Sequence, residues 1–360
     1  AIAVLGEYAP RCHVTFMRLT SAKSVKQGIR AVAARAGVPT ASVSRALHNP
    51  NAVSPSLRAR IEQAIDALGY IPHAPARILS SRRSRTLGAI VPTIDNTMFA
   101  RGIASLQQYL SSVGYMLFLT TSGYDLDVEL QQARNLISRG VDGLVLRGDC
   151  HHDALRKLLA DNAMPFINVG IYQPGRPYPC VGTDNEAAAH RAAAHVIELG
   201  HRRIGIVSAL QRNNDRASAR VAGFRRALAE NGIALPQQWH VEVPYTLDDA
   251  REAARYLLSL EHRPTAVVCG NDVIAYGVLL EAERDGFSVP RDLSVVGFDD
   301  LDWSRHLRPS LTTIHVPTGE TWRRAGEYLV RSLAGEQAIL PREIDFSLVV
   351  RESTAPPPKP

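Results

Sequence analysis

The sequence predicts an α/β protein with an N-terminal all-α helix-turn-helix head and a two-lobed body built from doubly wound parallel sheets. Three observations predict this fold class: an uneven charge distribution, two short helical segments joined at a glycine within residues 29–47, and β-branched runs alternating with amphipathic segments from residue 86 onward. At 360 residues the chain exceeds what one hydrophobic core normally organises, so several folding units are expected.

Positive charge is concentrated near the N-terminal end. Residues 1–85 contain thirteen Lys or Arg residues and three acidic residues, a balance of +10, and because the whole chain carries +6, residues 86–360 sum to −4. A local excess of this size fits a polyanion such as DNA, although a solvated basic arm has the same composition. Charge alone leaves both interpretations open.

Cysteine spacing and hydropathy indicate the compartment. The four cysteines show no C-x-x-C spacing, so reduced thiols are predicted and neither a disulfide framework nor a metal site; they are Cys12, Cys150, Cys180 and Cys269. The first twenty or so residues lack a continuous apolar run, which favours neither a signal peptide nor a membrane span. We expect a cytoplasmic protein with no cofactor and no membrane partner, and a poorly ordered leader over residues 1–24.

The first two helices of the head follow from spacing and from the residues at their ends. Apolar residues repeat at helical spacing from Ile29 to Ala36, Gly37 ends this helix, and Pro39 prevents its continuation. Thr40 is predicted as the N-cap of a second helix. The outward side chains of that second helix are Thr40, Ala41, Ser42, Ser44 and Arg45.

A third helix is predicted to begin at Pro55, with Ser54 as its cap and an apolar stripe from Leu57 to Leu68. In a three-helix unit of this kind the second helix can enter the major groove of DNA. An ordinary helical hairpin has the same local pattern.

Five motifs in this region resemble the lactose-repressor (LacI/GalR) family of bacterial transcriptional regulators. They are A-G-V-x-x-x-S-V-S-R, V-S-x-x-x-R, L-G-Y-x-P, A-R-x-L and RTLGAIVP, and the resemblance runs from about residue 25 to residue 356. It implies a DNA-binding domain over residues 25–72, a hinge helix over 73–85, and a periplasmic-binding-protein-like effector and dimerisation domain over 86–356. The lobes of that domain are expected at about 86–184 plus 315–340, and at 185–312 plus 342–356.

The resemblance also implies the DNA contacts. In the family, the hinge helix folds on operator DNA, pairs with that of the second protomer, and inserts a leucine into the minor groove; the matching residue here is Leu79, beside Ala76. Pro72 and Pro75 flank a segment too short to be a stable helix alone, so order is expected only on DNA. The expected DNA-binding residues are Thr40, Ala41, Ser42, Ser44, Arg45, His48, Ser54, Tyr70, His73, Ala76, Arg77 and Leu79. His73 replaces the family's usual asparagine, and Gly28 its usual threonine cap.

The body alternates strands and helices, which predicts parallel sheets with right-handed crossovers in two stacks that meet near Asp184. Neither G-x-G-x-x-G after the first strand nor G-x-x-x-x-G-K-S/T occurs, so no nucleotide cofactor is indicated. Two such lobes bind small ligands at the carboxyl ends of their strands. Polar residues at these strand ends are candidate ligand contacts, and they include Asp95, Asn96, Arg147, Asn168, Asp184, Asn271, Asp272, Asp299 and Asp300. Each of them singly also fits a turn or a helix cap.

The resemblance selects among these positions and adds others. It assigns the grip on effector hydroxyls to Arg220, hydrogen bonds to Asn271 and Asp299, and an aromatic or apolar pocket wall to Phe99, with Tyr245 as a second wall. The expected effector-binding residues are Asp95, Phe99, Arg147, Asn168, Arg220, Tyr245, Asn271 and Asp299. An arginine fork beside Asn and Asp suits vicinal hydroxyls or a carboxylate. Arg147 favours a sugar acid or sugar phosphate over a neutral sugar.

The leading hypothesis is therefore an effector-controlled repressor that binds operator DNA as a homodimer. A two-lobed carbohydrate-binding protein without a regulatory role is the alternative, but the helix-turn-helix pattern argues against it. A carbohydrate enzyme is a third possibility, and no nucleophile motif such as G-x-S-x-G supports it. His151 and His152 are predicted as solvated loop residues rather than as metal ligands.

Overall fold

The computed structural model describes residues 28–48, 52–71, 83–173, 175, 178–336 and 343–359, and, for His48, only the backbone. The chain divides into two compact units, Ala1–Arg82 and Arg83–Pro360. We call the described part of the first unit the head and that of the second unit the body. The predicted leader and most of the predicted hinge, including His73, Ala76, Arg77 and Leu79, lie outside the described residues.

The described head contains three helices, namely α1 (Ile29–Ala36), α2 (Thr40–His48) and α3 (Pro55–Leu68). Their apolar faces form one small core around Val32, Val43 and Ile61. Gly37 has a φ of +64° and ends α1, and its N–H bonds the carbonyls of Ala33 and Ala34. The helix-turn-helix expected from the spacing is confirmed.

One detail of the head was predicted wrongly. Thr40 is the first residue of α2 rather than its N-cap, because the carbonyl of Pro39 already accepts bonds from the N–H groups of Ser42 and Val43. The prediction at the third helix is confirmed, since the Ser54 hydroxyl accepts a hydrogen bond from the N–H of Leu57 at 3.4 Å.

The body has two sheets. The first, in lobe 1, has strand order β2-β1-β3-β4-β5, and its strands are parallel. Its elements in chain order are β1 (Thr86–Val91), α4 (Thr97–Ser112), β2 (Met116–Thr121), α5 (Leu126–Ser138), β3 (Gly143–Arg147), α6 (Asp153–Asp161), β4 (Phe166–Val169) and β5 (Cys180–Val181).

The second sheet, in lobe 2, has strand order β11-β10-β9-β8-β6-β7, and only β11 is antiparallel among its described strands. Its elements, together with α11, are α7 (Asn185–Glu198), β6 (Ile204–Ala209), α8 (Asp215–Glu230), β7 (His240–Val243), α9 (Leu247–Ser259), β8 (Ala266–Cys269), α10 (Asp272–Arg284), β9 (Ser294–Asp299), β10 (Thr312–His315), α11 (Thr318–Leu333) and β11 (Ser347–Val349).

The chain passes between the lobes near β5, before α11, and again before β11. Helix α11 packs on lobe 1, where Trp322 is buried in the core against Gly102, a position with no room for a side chain. On the return, the Ile344 N–H bonds the Gly182 carbonyl, and the Thr183 hydroxyl bonds the Ile344 carbonyl at 2.9 Å. Several neighbouring crossings permit the lobes to open and close by a hinge motion.

Among the described residues, no helix is long and apolar enough to cross a membrane. The described ranges also contain no cluster of three or more His, Cys, Asp or Glu side chains that could hold a metal ion.

Candidate functional site

The head presents a polar helix face. Thr40, Ala41 and Arg45 are exposed on α2, and Ser42 and Ser44 on the same helix are half-buried. This exposure results from the packing of α2, which turns Val43 and Ala46 into the core of the head. Exposed short side chains beside a cationic one suit the major groove, where base edges are contacted directly.

A side chain of α3 stabilises the turn between α1 and α2 by hydrogen bonds. The Arg60 guanidinium donates to the carbonyl oxygens of Ala36 and Gly37. Carbonyls at the end of a helix have no partner within the helix, so Arg60 supplies one. The other expected contacts of the head differ in their surroundings. Ser54 uses its hydroxyl as the cap of α3, and Tyr70 packs partly buried against the core.

A cavity of about 600 Å³ lies between the two lobes of the body. Asp95 and Tyr124 line it from lobe 1, and Asn213, Tyr245 and Thr246 from lobe 2. The rings of Tyr124 and Tyr245 stack across the cleft with their centroids 6.3 Å apart. Aromatic walls with a few polar groups are typical of sites for small polar ligands.

Beyond this cavity, a buried polar cluster joins two predicted residues, Arg220 and Asp299. Arg220 of α8 donates from Nε to Asn185 Oδ1 at 3.0 Å, from one Nη to the Gly270 carbonyl at 2.6 Å, and from the other to Asp299 Oδ1 at 3.4 Å. Its guanidinium carbon lies 3.7 Å from the centre of the Phe298 ring. Nε and both Nη atoms of Arg220 therefore donate to other protein groups. In this structure Arg220 fixes the positions of the residues in the cluster.

Several buried polar atoms at the cleft lack a partner among the described residues. They are Asn96 Nδ2, Arg147 Nε, Asn271 Nδ2 and Asp299 Oδ2. Asn96 and Asn271 each use the side-chain oxygen to cap a helix, at 3.0 Å to the Met98 N–H and 2.9 Å to the Ile274 N–H. Buried donors and acceptors are nearly always paired, so this set identifies a candidate site for a polar ligand.

Backbone strain and burial support this location. Asp299 and Asp300, at the end of β9, have φ values of +107° and +50°, which are uncommon for residues other than glycine. Burial raises the pKa of the Asp299 carboxyl, while Arg220 and Arg147 oppose this shift. Burial together with the nearby Arg216 lowers the pKa of Arg147.

Side chains from the two lobes meet at the cleft. The Asp149 N–H donates to the Asp215 carboxylate at 2.7 Å, and Asn213 Nδ2 donates to the Tyr124 carbonyl at 3.1 Å. At another point, an ion pair of 2.7 Å joins Arg101 of α4 to the exposed Asp302. The structure therefore shows the lobes in a closed arrangement.

Of the eight expected effector residues, only Asp95 and Tyr245 line the 600 Å³ cavity; Arg147 lines a smaller cavity beside it, and the other five line neither. Phe99 is 1% exposed and belongs to the core of lobe 1, because the Arg147 guanidinium covers its ring at 5.5 Å. Asn168 is also 1% exposed, and it bonds Asp149 at 3.1 Å and His151 at 3.3 Å. In this structure both side chains lie behind the residues that face the cleft.

The prediction for His151 was wrong. Its ring is buried, with Nδ1 2.9 Å from the Glu129 carboxylate and Nε2 3.1 Å from the Gly148 carbonyl, so it is a structural residue of lobe 1. His152 remains 44% exposed and caps α6.

Several residues at the cleft were not predicted from the sequence, namely Tyr124, Asn185, Asn213, Arg216 and Thr246. Arg216 is 4% exposed in the first turn of α8, and Asp215 pairs with it at 2.7 Å. The local signal was the Asn-Asp-Arg sequence at the start of a helix, which reads equally well as an ordinary helix cap. These residues become part of the candidate site only because lobe 1 packs against lobe 2 at the cleft.

The fold and the cleft define a class of protein in which a two-lobed ligand-binding body shares one chain with a helix-turn-helix head. Residues 28–73 match the model of bacterial regulatory proteins of the lacI family, and residues 193–354 match the periplasmic binding protein-like domain. Catabolite control protein A of Priestia megaterium is 32% identical over 330 residues, covering 90% of this chain and 98% of that protein. The chain belongs to the lacI family of bacterial regulatory proteins, as the motifs predicted.

Further similarities agree with this membership. The transcriptional repressor CytR of Escherichia coli is 33% identical and covers 90% of this chain and 95% of its own. Among solved structures, a LacI-family regulator from Silicibacter pomeroyi has a TM-score of 0.82 at 25% identity, covering 91% of this chain and 99% of its own. The lac repressor dimer bound to operator matches in fold, with a TM-score of 0.80 at 24% identity and coverages of 90% and 98%. These relatives are transcriptional regulators rather than enzymes.

Proposed function

We propose that this protein is a cytoplasmic repressor that binds a nearly palindromic operator as a homodimer and responds to a carbohydrate-derived effector. The effector class comprises sugars, sugar acids and sugar phosphates. The observation that carries the proposal is the presence, on one chain, of a helix with an exposed polar face and of a cleft with unpartnered buried polar atoms. Among related structures, one regulator is a complex with cellobiose, which supports a carbohydrate ligand.

In the head, α2 contacts the bases of one operator half-site. Thr40, Ala41 and Arg45 are its exposed residues, and short side chains approach base edges closely. The segment expected as hinge helix or linker, residues 73–85, joins the head to the body, and its last three residues are not helical in this structure. Leu79 in this segment widens the minor groove by partial insertion between base pairs. Arg83 contributes attraction to phosphate, which is independent of sequence.

In the body, the effector binds between the lobes and stabilises one degree of closure. It satisfies the free acceptor of Asp299 and the free donors of Asn271 and Asn96, while Tyr124 and Tyr245 cover its apolar face. Closure changes the separation of the two hinge segments in the dimer, which alters operator affinity. Linkage requires the operator to affect effector binding equally, typically by ~1 to 3 kcal/mol, for an inducer or a corepressor.

Exposed apolar side chains on both lobes support the homodimer. In lobe 1, the edge strand β2 leaves Met116 62% and Phe118 38% exposed. In lobe 2, Leu280 and Trp303 are 45% and 68% exposed and line an apolar groove of about 390 Å³. Contiguous apolar surface of this kind marks an interface, and a second copy of the chain presents the same surface.

Selection from random duplex DNA tests the proposal. The full-length protein, at physiological ionic strength, is expected to enrich an inverted repeat. Thr40→Ala is expected to change the preferred half-site, whereas Arg58→Ala, which removes an exposed charge paired with Glu62 on α3, leaves the preference unchanged. Enrichment of no sequence would refute the function as a regulator and leave a two-lobed carbohydrate-binding protein as the alternative.

A further inference from the structure

We infer that the effector carries an acidic group, a carboxylate or a phosphate, and that Arg147 and Arg216 bind this group at the inner end of the cleft. This inference rests on the proposed function, because it concerns the ligand of the same cleft. It restricts the proposed effector class to sugar acids and sugar phosphates and excludes neutral sugars as the natural ligand.

The first support is the incomplete pairing of Arg147. Among the described residues, its guanidinium donates to the Met98 sulfur at 3.8 Å and lies over the Phe99 ring, and Nε is buried without a partner. Two neighbouring buried arginines are neutralised, Arg216 by Asp215 at 2.7 Å and Arg220 by Asp299 at 3.4 Å. Arg147 thus brings a positive charge into the cleft, and no carboxylate of the described part of the chain lies at ion-pair distance from it.

Two glycines make room for the guanidinium groups. Gly170 and Gly148 both have φ near +80°, and a Cβ atom added to either would collide with a guanidinium, that of Arg147 at Gly170 and that of Arg216 at Gly148. The backbone turns at the ends of β4 and β3 therefore form the seats of these two side chains. Such close seating fixes the directions in which the N–H groups point, which is how arginine recognises planar acids.

A small inner cavity connects the two arginines to the outer one. Arg147 and Arg216 line it together with Tyr124 and Asn213, which also line the 600 Å³ cavity, and with two carboxylates, Asp125 and Glu129. Both carboxylates have partners, because Asp125 caps α5 and Glu129 lies 2.9 Å from the His151 ring. The inner cavity measures about 10 Å³, room for one water-sized group in the closed arrangement. A ligand with its ring against Tyr124 and Tyr245 would direct one acidic substituent inward. Because the inner cavity holds only a water-sized group in this structure, the lobes would move apart to admit that substituent.

The charges at the inner cavity decide the chemistry of that substituent. Burying an unpaired guanidinium is costly, and a neutral hydroxyl cannot offset the charge, whereas an anion forms charge-assisted, bidentate hydrogen bonds. Burial of Arg216 lowers its pKa, but Asp215, Tyr124 and Tyr245 together raise it, so this side chain keeps its charge beside Arg147. Among the described residues, Asp125, Glu129 and Asp215 each have a partner, whereas Arg147 has no carboxylate at ion-pair distance, so this end of the cleft favours an acid.

Anion titration of the full-length protein tests the inference. Inorganic phosphate and acetate are added separately, with ionic strength held constant by sodium chloride, and the melting temperature is recorded. We expect saturable stabilisation by at least one anion, and the anion with the lower half-saturation concentration distinguishes a phosphate from a carboxylate. Arg147→Gln is expected to raise that concentration at least tenfold. Arg191→Gln, which removes a charge from a surface pair with Glu198, leaves it unchanged.

The melting temperature of Arg147→Gln without added anion shows whether this substitution simply unfolds the protein. Without added anion, Arg147→Gln is expected to melt no lower than the parent protein, because it removes a buried charge that lacks a counter-ion. Stabilisation by neither anion, or equal loss in Arg147→Gln and Arg191→Gln, would overturn the acidic subsite. Sequence-specific DNA binding is measured on the same preparations; if it persists while anion binding is absent, the proposed function stands and only this inference fails.

Discussion

The Asp215 carboxylate at the start of α8 accepts a 2.7 Å hydrogen bond from the backbone N–H of Asp149, and this bond joins lobe 2 to lobe 1. Asp215 also pairs with Arg216, so the same carboxylate connects lobe closure to the inner end of the cleft. A change in ligand occupancy that moves Arg216 would therefore alter the bond between the lobes.

Asp215→Ala is expected to favour lobe opening. A hydrogen bond to a charged group contributes roughly 1.5–3 kcal/mol, so exchange of the Asp149 amide hydrogen should accelerate about 10- to 150-fold in hydrogen-exchange mass spectrometry. Asp302→Ala is the matched control, because it breaks the exposed pair with Arg101 and should cost less than about 1 kcal/mol. Equal exchange rates in Asp215→Ala and the parent protein would show that this bond does not hold the lobes together.

Gly37→Ala is expected to destabilise the head. The residue has a φ of +64°, a conformation that costs a residue with a Cβ atom roughly 1–2 kcal/mol. Faster exchange of the α1 and α2 amides in the full chain would reveal the loss. The control is Gly28→Ser at the start of α1, where φ is −83° and no atom lies close to the position of the added Cβ. This change should stay within a few tenths of a kcal/mol, and the same result for Gly37→Ala would contradict our account of the turn.

His201 is expected to make the body less stable in acid. The ring is buried, and its Nε2 lies 2.8 Å from the carbonyl oxygen of Ala355, so Nε2 carries the proton of the neutral form. Burial lowers the pKa of His201, although the bond to Ala355 opposes the shift. The unfolded chain then binds more protons as pH falls below about 6.5, and stability decreases. The full stabilisation is present above that pH.

Urea unfolding between pH 7 and pH 5 measures this effect. Burial also lowers the pKa of His195 and of His240, so His201→Gln should reduce the pH dependence of the unfolding free energy without abolishing it. An unchanged pH dependence in His201→Gln would remove His201 from the acid response.

Trp303→Glu is expected to weaken the proposed dimer. The indole is 68% exposed beside the apolar groove of lobe 2, and a buried interface tryptophan is often worth 2 kcal/mol or more, about thirtyfold in the dimer dissociation constant. Sedimentation equilibrium would detect the change. Tyr256→Glu provides the control, since Tyr256 is 46% exposed on α9 and does not line that groove. Equal dimer stability in both variants would show that the dimer interface does not include this groove.

Local chemistry made most of the fold predictable. Gly37 and Ser54 end and begin helices through interactions within a few residues, so their roles follow from the sequence. The strand β7 was not predicted, because His240–Val243 is short, alternates polar and apolar residues, and lies at an edge of its sheet. Helix α9 was also not among the predicted elements, although Thr246 caps it in the usual way.

The candidate site was harder to predict, because its geometry depends on contacts between distant segments. Alignment to the family placed Phe99 and Asn168 at the pocket, but the side chain of Arg147 covers Phe99, and Asn168 turns toward Asp149. The roles of Tyr124 and Arg216 arise where one lobe meets the other, which no local pattern encodes.

Operator affinity measured with and without effector tests whether the cleft controls DNA binding. The effector is the compound that most raises the melting temperature of the full-length protein in a screen of sugars, sugar acids and sugar phosphates. At physiological ionic strength, the account predicts sequence-specific binding to the selected duplex and a change of about 5- to 150-fold on adding that compound, with an equal effect of operator on effector binding. Equal affinity for every duplex sequence, with and without the compound, would contradict it.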